Sequence, residues 1–147
     1  MRFLMIFKPD EAATKRNEAG VPPTQREIAQ MGKLIEEMAK AGVLLSTEGC
    51  QASSKGARVR RSGERVTVTD GPFTEAKEIV GGFAIIKAQS KAEAIGWAKR
   101  FLDVAGNGES EILQLHERRP SSSSKRGELR SARPGAKVAS QDGLTRN

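Results

Sequence analysis

The chain has 147 residues, enough for one domain with a buried core, and its net charge is +7. It contains one cysteine and one histidine, which exclude an intramolecular disulfide and a closed zinc site. The glycine-rich motifs that cradle phosphates or dinucleotides are also missing from the sequence, so we expect neither a metal nor a cofactor.

The first predicted element is a buried central strand of residues 2–7, which are rich in Phe, Leu and Ile and end before Lys8-Pro9. This apolar run is too short for a signal peptide. No later run reaches the roughly 20 apolar residues that a transmembrane helix needs. We therefore expect a soluble, cytoplasmic protein that does not contact a membrane.

Residues 8–23 predict a long loop, because they are polar and contain Gly20 and a pair of prolines. Such a loop is either a lid over a binding site or a mobile connector. A helix of about residues 24–41 follows. It opens with a capping box of Thr24 and Glu27 and carries one apolar stripe at helical spacing.

A second strand begins at Val43 and runs toward Cys50, and residues 57–61 and 65–69 predict a β-hairpin. The first strand of this hairpin is basic and has the pattern of an exposed edge. Charges there either protect the edge against pairing with another strand or bind an anion. We favour protection of the edge.

The stretch after the hairpin concentrates groups that can contact a ligand. Residues Asp70–Pro72 have the chemistry of a turn, and the large apolar ring of Phe73 follows directly. Charged side chains come next. The Gly81-Gly82 pair then predicts a bulge or a close approach by a ligand or another backbone. The candidate residues of this stretch are Asp70, Phe73, Glu75, Lys77, Glu78, Gly81 and Gly82.

Three interpretations of these charges stay open on the sequence alone. A carboxylate that is partly desolvated beside Phe73 acts as a general base, whereas one paired with Lys77 stays ionised and orients a ligand. In the third interpretation Asp70 stabilises its turn, Phe73 fills the core and the other charges are solvated. We favour the third interpretation for Glu75.

The remaining elements repeat the pattern of the first half. Residues 79–88 predict a strand buried on both faces, and a second capping box opens a helix of about residues 91–104. Residues 111–116 alternate and predict the last strand. His116 at its end is interpreted as a structural or surface residue, not a base.

The motif residues stand in the order Asp70-Gly71-Pro72-Phe73, Glu75, Lys77-Glu78 and Gly81-Gly82-Phe83. Together with residues 2–6 and Glu48-Gly49, this order resembles the hallmark of the DGPF proteins, a branch of the YCII-related family, over about residues 1–117. The resemblance implies a ferredoxin-like α+β fold that pairs into a dimeric α/β barrel, with a cleft in each subunit. The predicted order of elements, a split βαβ with an inserted hairpin, agrees with it.

The sequence departs from the wider family in one respect. That family is associated with a His-Asp pair from the first half of its fold, and this sequence has no histidine before His116. The pair therefore cannot be carried over, and carboxylate and lysine side chains remain as the candidates for chemistry.

Residues 118–147 differ from the rest of the chain. They hold eight of the 25 basic residues but two of the 18 acidic ones, with a serine run and few large apolar side chains. Such a composition predicts a disordered tail. We interpret it as a solvated extension, with at most weak, salt-dependent binding of nucleic acid.

These observations favour a homodimeric small-molecule-binding protein, or an enzyme without a cofactor, with its site in a sheet-lined cleft beside the Asp70–Phe73 turn. Analogy with related barrels makes proton abstraction from an activated carbon the first reaction to test. The alternative implied by the resemblance is a regulatory module that acts with a sigma factor of the extracytoplasmic-function type. The candidate catalytic residues are Asp70, Lys77 and Glu78, and the candidate ligand-binding residues are Phe73, Glu48, Gly81 and Gly82.

Overall fold

The computed structural model describes residues 1–117, so the tail predicted for residues 118–147 lies outside the described residues. The elements are β1 (Arg2–Pro9), α1 (Glu11–Glu18), α2 (Gln25–Lys40), β2 (Leu44–Gly49), β3 (Ala57–Ser62), β4 (Arg65–Asp70), β5 (Gly82–Lys87), α3 (Lys91–Ala105) and β6 (Gly108–Gln114). Two short 3-10 helices, Ser53–Lys55 and Ala76–Glu78, flank the hairpin.

The main sheet has the strand order β2-β5-β1-β6, and every neighbouring pair is antiparallel. Strands β3 and β4 follow β2 and precede β5 in the chain, and they form a separate two-stranded sheet. Removing this hairpin and the short α1 leaves β-α-β-β-α-β, in which α2 and α3 are the two crossover helices. The predicted ferredoxin-like α+β fold with an inserted hairpin is therefore confirmed.

The core lies between one face of the sheet and helices α2 and α3. Alternate residues of β1 and β5 point to that face and are buried, as are the facing residues of both helices. The buried residues are Phe3, Met5, Ala84 and Ile86 from the strands and Leu34, Met38, Ala94 and Ala98 from the helices. This layer fixes the positions of the strand ends at which a cavity opens.

The prediction that residues 79–88 form a strand buried on both faces is wrong. Strand β5 begins at Gly82, and its buried residues alternate with the half-buried Phe83 and Ile85. Residues 79–88 are almost continuously apolar because both faces of the strand carry apolar side chains. The helices cover only one of these two faces. The other face of the sheet is left with partly open apolar side chains.

The prediction of a long loop over residues 8–23 is also wrong, because helix α1 occupies its middle. Asp10 caps this helix by accepting a hydrogen bond from the Ala13 N–H at 2.9 Å, and Glu11 and Lys15 have the signs that suit its two ends. Most of its side chains are polar, so it has no apolar stripe to reveal it. Its buried residue is Thr14, whose hydroxyl donates to the Pro9 carbonyl at 3.2 Å.

Helix α2 begins as the sequence predicts. The Thr24 hydroxyl accepts a hydrogen bond from the Glu27 N–H at 3.1 Å, and Glu27 Oε1 accepts from the Thr24 N–H at 2.9 Å. The helix ends at Lys40, just before Gly42, which takes φ +74°. None of the helices in residues 1–117 is long and apolar enough to cross a membrane.

Candidate functional site

A cavity of about 600 Å³ lies between the sheet and the two long helices. Sites that bind small molecules typically have volumes of roughly 300–1,000 Å³ and mainly apolar walls. The walls here are mainly apolar and come from both layers of the fold. The apolar residues that line the cavity are Met5, Phe7, Pro23, Ile28, Met31, Ile35, Phe83, Ala84, Phe101, Val104 and Ala105.

The predicted Gly81-Gly82 pair forms part of the cavity wall, and its lack of side chains has a packing reason. A Cβ atom at Gly82 would lie 2.7 Å from the Glu48 carbonyl oxygen, and one at Gly81 would lie 2.9 Å from Pro9 Cδ. Both positions therefore need glycine because another part of the chain approaches closely. Of the alternatives that the sequence left open, close approach by neighbouring chain segments accounts for the pair.

The polar side chains of the lining are few. The Thr47 hydroxyl donates to the Phe83 carbonyl at 2.9 Å, and one Glu27 oxygen is occupied by the capping box. Ser110 Oγ is buried and has no hydrogen-bond partner among residues 1–117. Of the described residues that line the cavity, none is Lys, Arg or His.

Glu48 lines the cavity but does not direct its side chain between the sheet and α2. In the β2–β5 register Thr47 pairs with the buried Ala84, and Glu48 pairs with Phe83 on the other face. Side chains alternate along a strand, so Glu48 belongs to the outer face, where it is exposed. This predicted ligand-binding residue therefore lies at the rim of the cavity.

The Asp70–Phe73 turn is tied to the chain segment before the hairpin. A Cβ atom at Gly71 would lie 1.8 Å from the Ser53 carbonyl oxygen, so the two backbones are in contact. The Gly71 N–H donates to the Gly56 carbonyl at 3.0 Å, and the Phe73 N–H donates to Ser53 Oγ at 2.9 Å. These contacts give the motif a structural role that does not involve a ligand.

The Phe73 ring lies under a cation. The Arg58 guanidinium carbon is 4.1 Å from the ring centroid, and the same guanidinium is 3.1 Å from Glu78 Oε1. Glu78 therefore pairs with Arg58 of β3 and not with the neighbouring Lys77. Asp70 ends β4 in register with Ala57, and its side chain is exposed.

Lys77 and Glu75 border a second hollow, which is more open than the first. Its volume is about 810 Å³, and its rim is charged. The lining residues are Lys8, Pro9, Asp10, Glu11, Thr74, Glu75, Ala76, Lys77, Gly108 and Glu109. Despite its four carboxylates, residues 1–117 contain no group of three or more His, Cys, Asp or Glu arranged to hold a metal ion.

The seven predicted site residues are thus divided among three places. Glu48, Gly81 and Gly82 line the cavity, Lys77 borders the second hollow, and Asp70, Phe73 and Glu78 surround the turn at the base of the hairpin. Within the described residues, neither lining includes a member of that last group.

Two parts of the cavity lining were not predicted from the sequence: the residues of α2 and α3, and Ser110 of β6. An apolar stripe predicts a helix face that packs on the core, yet Ile28 of this stripe is 58 % exposed and lines the cavity. Ser110 carries no motif, and its place in the strand β6 was not predicted. The stripe from Ile28 to Met38 spans about 15 Å, no more than a six-residue strand, so its length does not indicate a cavity.

Comparison with known proteins gives a family match for most of the chain. The model of the YCII-related domain matches residues 1–118. No curated protein matches the chain in sequence. Among solved structures, the chain resembles the 5-chloro-2-hydroxyhydroquinone dehydrochlorinase of Burkholderia phenoliruptrix AC1100, determined in complex with 2,5-dihydroxybenzoquinone. The identity is 16%, the TM-score is 0.41, and the match covers 80% of this chain and 96% of that chain.

Proposed function

Since the chain belongs to the YCII-related domain family, we propose that it is a small-molecule-binding protein whose site is the cavity between the sheet and α2. The observation that supports this proposal is the cavity itself, which is lined by apolar side chains but not filled by them. Apolar surface in contact with water costs about 25 cal/mol per Å². An apolar ligand would remove that surface from water.

The polar groups of the cavity favour binding over catalysis in this proposal. A general base must reach the proton that it abstracts, within hydrogen-bond distance or through one water. The candidate catalytic residues Asp70, Lys77 and Glu78 are absent from the cavity lining among residues 1–117. We therefore assign them to the support of the hairpin and of its surroundings, and we assign Glu48, Gly81 and Gly82 to the cavity wall.

The test of the proposed site uses two glycines in the interiors of helices. Gly32 of α2 lines the cavity, whereas Gly96 of α3 does not, and a Cβ atom at either position would meet nothing within 4 Å. Gly32→Leu therefore adds a side chain at the cavity without a backbone clash, and Gly96→Leu is its matched control. Both variants should fold at least as well as wild type, because leucine is a better helix former than glycine by about 0.8 kcal/mol.

The measurement is a thermal-shift screen of small neutral compounds on the full chain. A ligand present at a hundred times its dissociation constant adds about 2.7 kcal/mol of stability. We expect some compounds to stabilise wild type and Gly96→Leu but not Gly32→Leu. If every stabilising compound acts equally on both variants, or none acts on wild type, the cavity is not a binding site.

We further propose that the protein forms a homodimer through the outer face of its sheet. In register, Leu4 lies between Ile85 and Leu113, and Ile6 lies between Phe83 and Glu111. The centre of the face is therefore apolar, and the carboxylates of Glu48 and Glu111 border it. Leu113 is 51 % exposed. Packing two such faces together would bury these side chains and give the dimeric barrel that the resemblance implies.

Sedimentation of Leu113→Glu tests the dimer. A charge placed in an apolar interface loses its hydration without gaining a partner, so this variant should sediment as a monomer. The matched control is Val21→Glu, since Val21 lies outside the sheet and is equally exposed, at 52 %. A monomeric wild type, or a dimeric Leu113→Glu, would contradict the proposed interface.

The second candidate function is that of an interaction module. The resemblance to the DGPF branch suggests a sigma factor of the extracytoplasmic-function type as the partner. The observation that favours a protein partner is the hairpin, where Val59 and Val68 lie opposite one another and are 68 % and 64 % exposed. Loss of sigma-factor capture in Val59→Ser/Val68→Ser, with compound binding unchanged, would support this function.

A further inference from the structure

The buried hydroxyl group of Ser110 is the polar feature of the cavity that the fold itself does not use. Ser110 lines the cavity from β6, and its Oγ has no hydrogen-bond partner among residues 1–117. Buried polar side chains nearly always have a partner, so such a group points to a role outside the fold. The oxygen is closed to the cavity in this position, so a ligand reaches it only after the side chain rotates about its Cα–Cβ bond, which no hydrogen bond within residues 1–117 opposes. A group on a bound molecule would then supply the missing partner.

Ser110 has an aromatic residue as its neighbour across the strands. Ser110 lies opposite Phe7 in the β1–β6 register, and the Phe7 ring packs edge-on against Phe101 with the ring centroids 5.2 Å apart. Both rings also line the cavity. Ser110 therefore adds an unpaired hydroxyl to a mainly apolar wall, in which the Thr47 hydroxyl already donates to the Phe83 carbonyl. Such a wall suits a ligand that is mostly apolar and has one hydrogen-bonding group.

The charges of the lining exclude an anionic ligand. Glu27 and Glu48 are the ionisable residues of the lining, both are exposed, and no cationic residue of the described chain accompanies them. A carboxylate or phosphate group that entered the cavity would lose its water without gaining a counter-charge. A cationic group inside the apolar part would meet the same penalty, because the two carboxylates belong to exposed residues.

We propose that the cavity binds an uncharged, mainly apolar molecule with a hydroxyl or carbonyl group, and that Ser110 determines this specificity by hydrogen-bonding to that group. This inference rests on the proposed function, since it names the ligand class and the polar anchor of the same cavity. A hydroxyl group suits either partner, because it both donates and accepts a hydrogen bond.

The test compares three probes that share the naphthalene ring system on the full chain: naphthalene, 2-naphthol and the 2-naphthoate anion. We expect wild type to bind 2-naphthol about fivefold to tenfold more tightly than naphthalene, the factor that corresponds to one net hydrogen bond. The naphthoate anion should bind most weakly. Ser110→Ala should bind 2-naphthol and naphthalene with affinities that agree within about twofold.

Two further variants make the result specific to the hydroxyl group of Ser110. Ser110→Thr retains the hydroxyl and should retain the preference for 2-naphthol. Ser62→Ala removes an exposed strand serine of the hairpin and should bind as wild type does. Without any probe, Ser110→Ala should melt no lower than wild type, because the hydroxyl that it removes makes no hydrogen bond within residues 1–117.

The outcomes separate this inference from the proposed function. If the probes bind wild type and Gly96→Leu but not Gly32→Leu, the cavity is the site. A preference for 2-naphthol that survives in Ser110→Ala would then overturn the role of Ser110, and tight binding of naphthoate would overturn the ligand class. If no probe binds at a site that Gly32→Leu blocks, both the inference and the proposed function fail.

Discussion

The Glu18 carboxylate accepts two hydrogen bonds from Ser53, one from its N–H at 2.7 Å and one from its hydroxyl at 2.6 Å. Ser53 Oγ in turn accepts from the Phe73 N–H. Helix α1, the segment before the hairpin and the Asp70–Phe73 turn are therefore joined through one serine. The hydrogen bonds that hold the Asp70–Phe73 motif therefore reach back to Glu18, which lies more than fifty residues earlier in the chain.

Glu18→Ala should lower the free energy of unfolding by about 1–3 kcal/mol, because it leaves both Ser53 donors without their charged acceptor in a half-buried place. Urea denaturation of the full chain measures the change. Glu64→Ala, which removes an exposed glutamate from the hairpin turn, is the control and should alter stability by less than about 0.5 kcal/mol. Equal effects of the two variants would show that the Glu18–Ser53 contact is energetically minor.

Gly71→Ala should be the most damaging single change in the motif. Its Cβ atom would lie 1.8 Å from the Ser53 carbonyl oxygen, which is backbone and cannot rotate away. We expect a loss of at least about 1–3 kcal/mol, the usual cost of overpacking. Gly56→Ala is the control, since its Cβ atom would make an ordinary contact at 3.6 Å with the same oxygen. Thermal unfolding of the two variants checks the difference, and similar melting temperatures would contradict it.

The sequence was sufficient for the two long helices and for the order of the strands, because periodicity and caps act locally. The apolar stripe and the Thr24–Glu27 capping box specify α2, and alternation specifies the strands. Helix α1 was missed because its stability comes from Asp10 at its start and from the contact of Glu18 with Ser53, and neither produces an apolar period. A short polar helix that is held by its N-cap and by one contact distant in sequence lacks the apolar period by which the other helices were recognised.

The candidate site could be predicted only in part, because residues that are neighbours in the chain lie at different places in the fold. The Gly81-Gly82 pair was located because a backbone that needs glycine leaves a mark in the sequence. The charged residues after the hairpin were grouped by their proximity in the chain, but Arg58 draws Glu78 toward β3 while Lys77 borders another hollow. Ser110 had no neighbouring motif, so only the strand register reveals that it faces the cavity with Phe7.

Asp70→Asn and Lys77→Ala should leave binding of 2-naphthol within about twofold of wild type, because neither side chain is part of the cavity lining in residues 1–117. Fluorescence titration of each full-length variant measures the affinity. Gly32→Leu, which blocks the cavity, is the positive control for loss of binding. A tenfold or greater loss of affinity for 2-naphthol in either variant, with an unchanged melting temperature, would show that the substituted residue takes part in binding.

The Glu37–Arg100 pair should make the contact between α2 and α3 depend on pH. Hydrogen bonds of 2.5 and 2.6 Å from the Arg100 guanidinium hold the pKa of Glu37 below its ordinary value of 4.5. A carboxyl group whose pKa is lower in the folded state than in the unfolded state contributes stability above the unfolded pKa. That stability is lost as pH falls through the folded pKa.

The difference in melting temperature between wild type and Arg100→Gln should therefore be present at neutral pH and should shrink as pH falls below 4.5 toward the lowered pKa of Glu37. The effect should be small, because both side chains are about half-exposed and surface ion pairs are screened by solvent. Lys99→Gln removes the same charge from the neighbouring position of α3 and is the control. A difference that persists unchanged in acid would mean that Arg100 stabilises the fold by its packing over Trp97, 5.1 Å from the ring centroid, and not through Glu37.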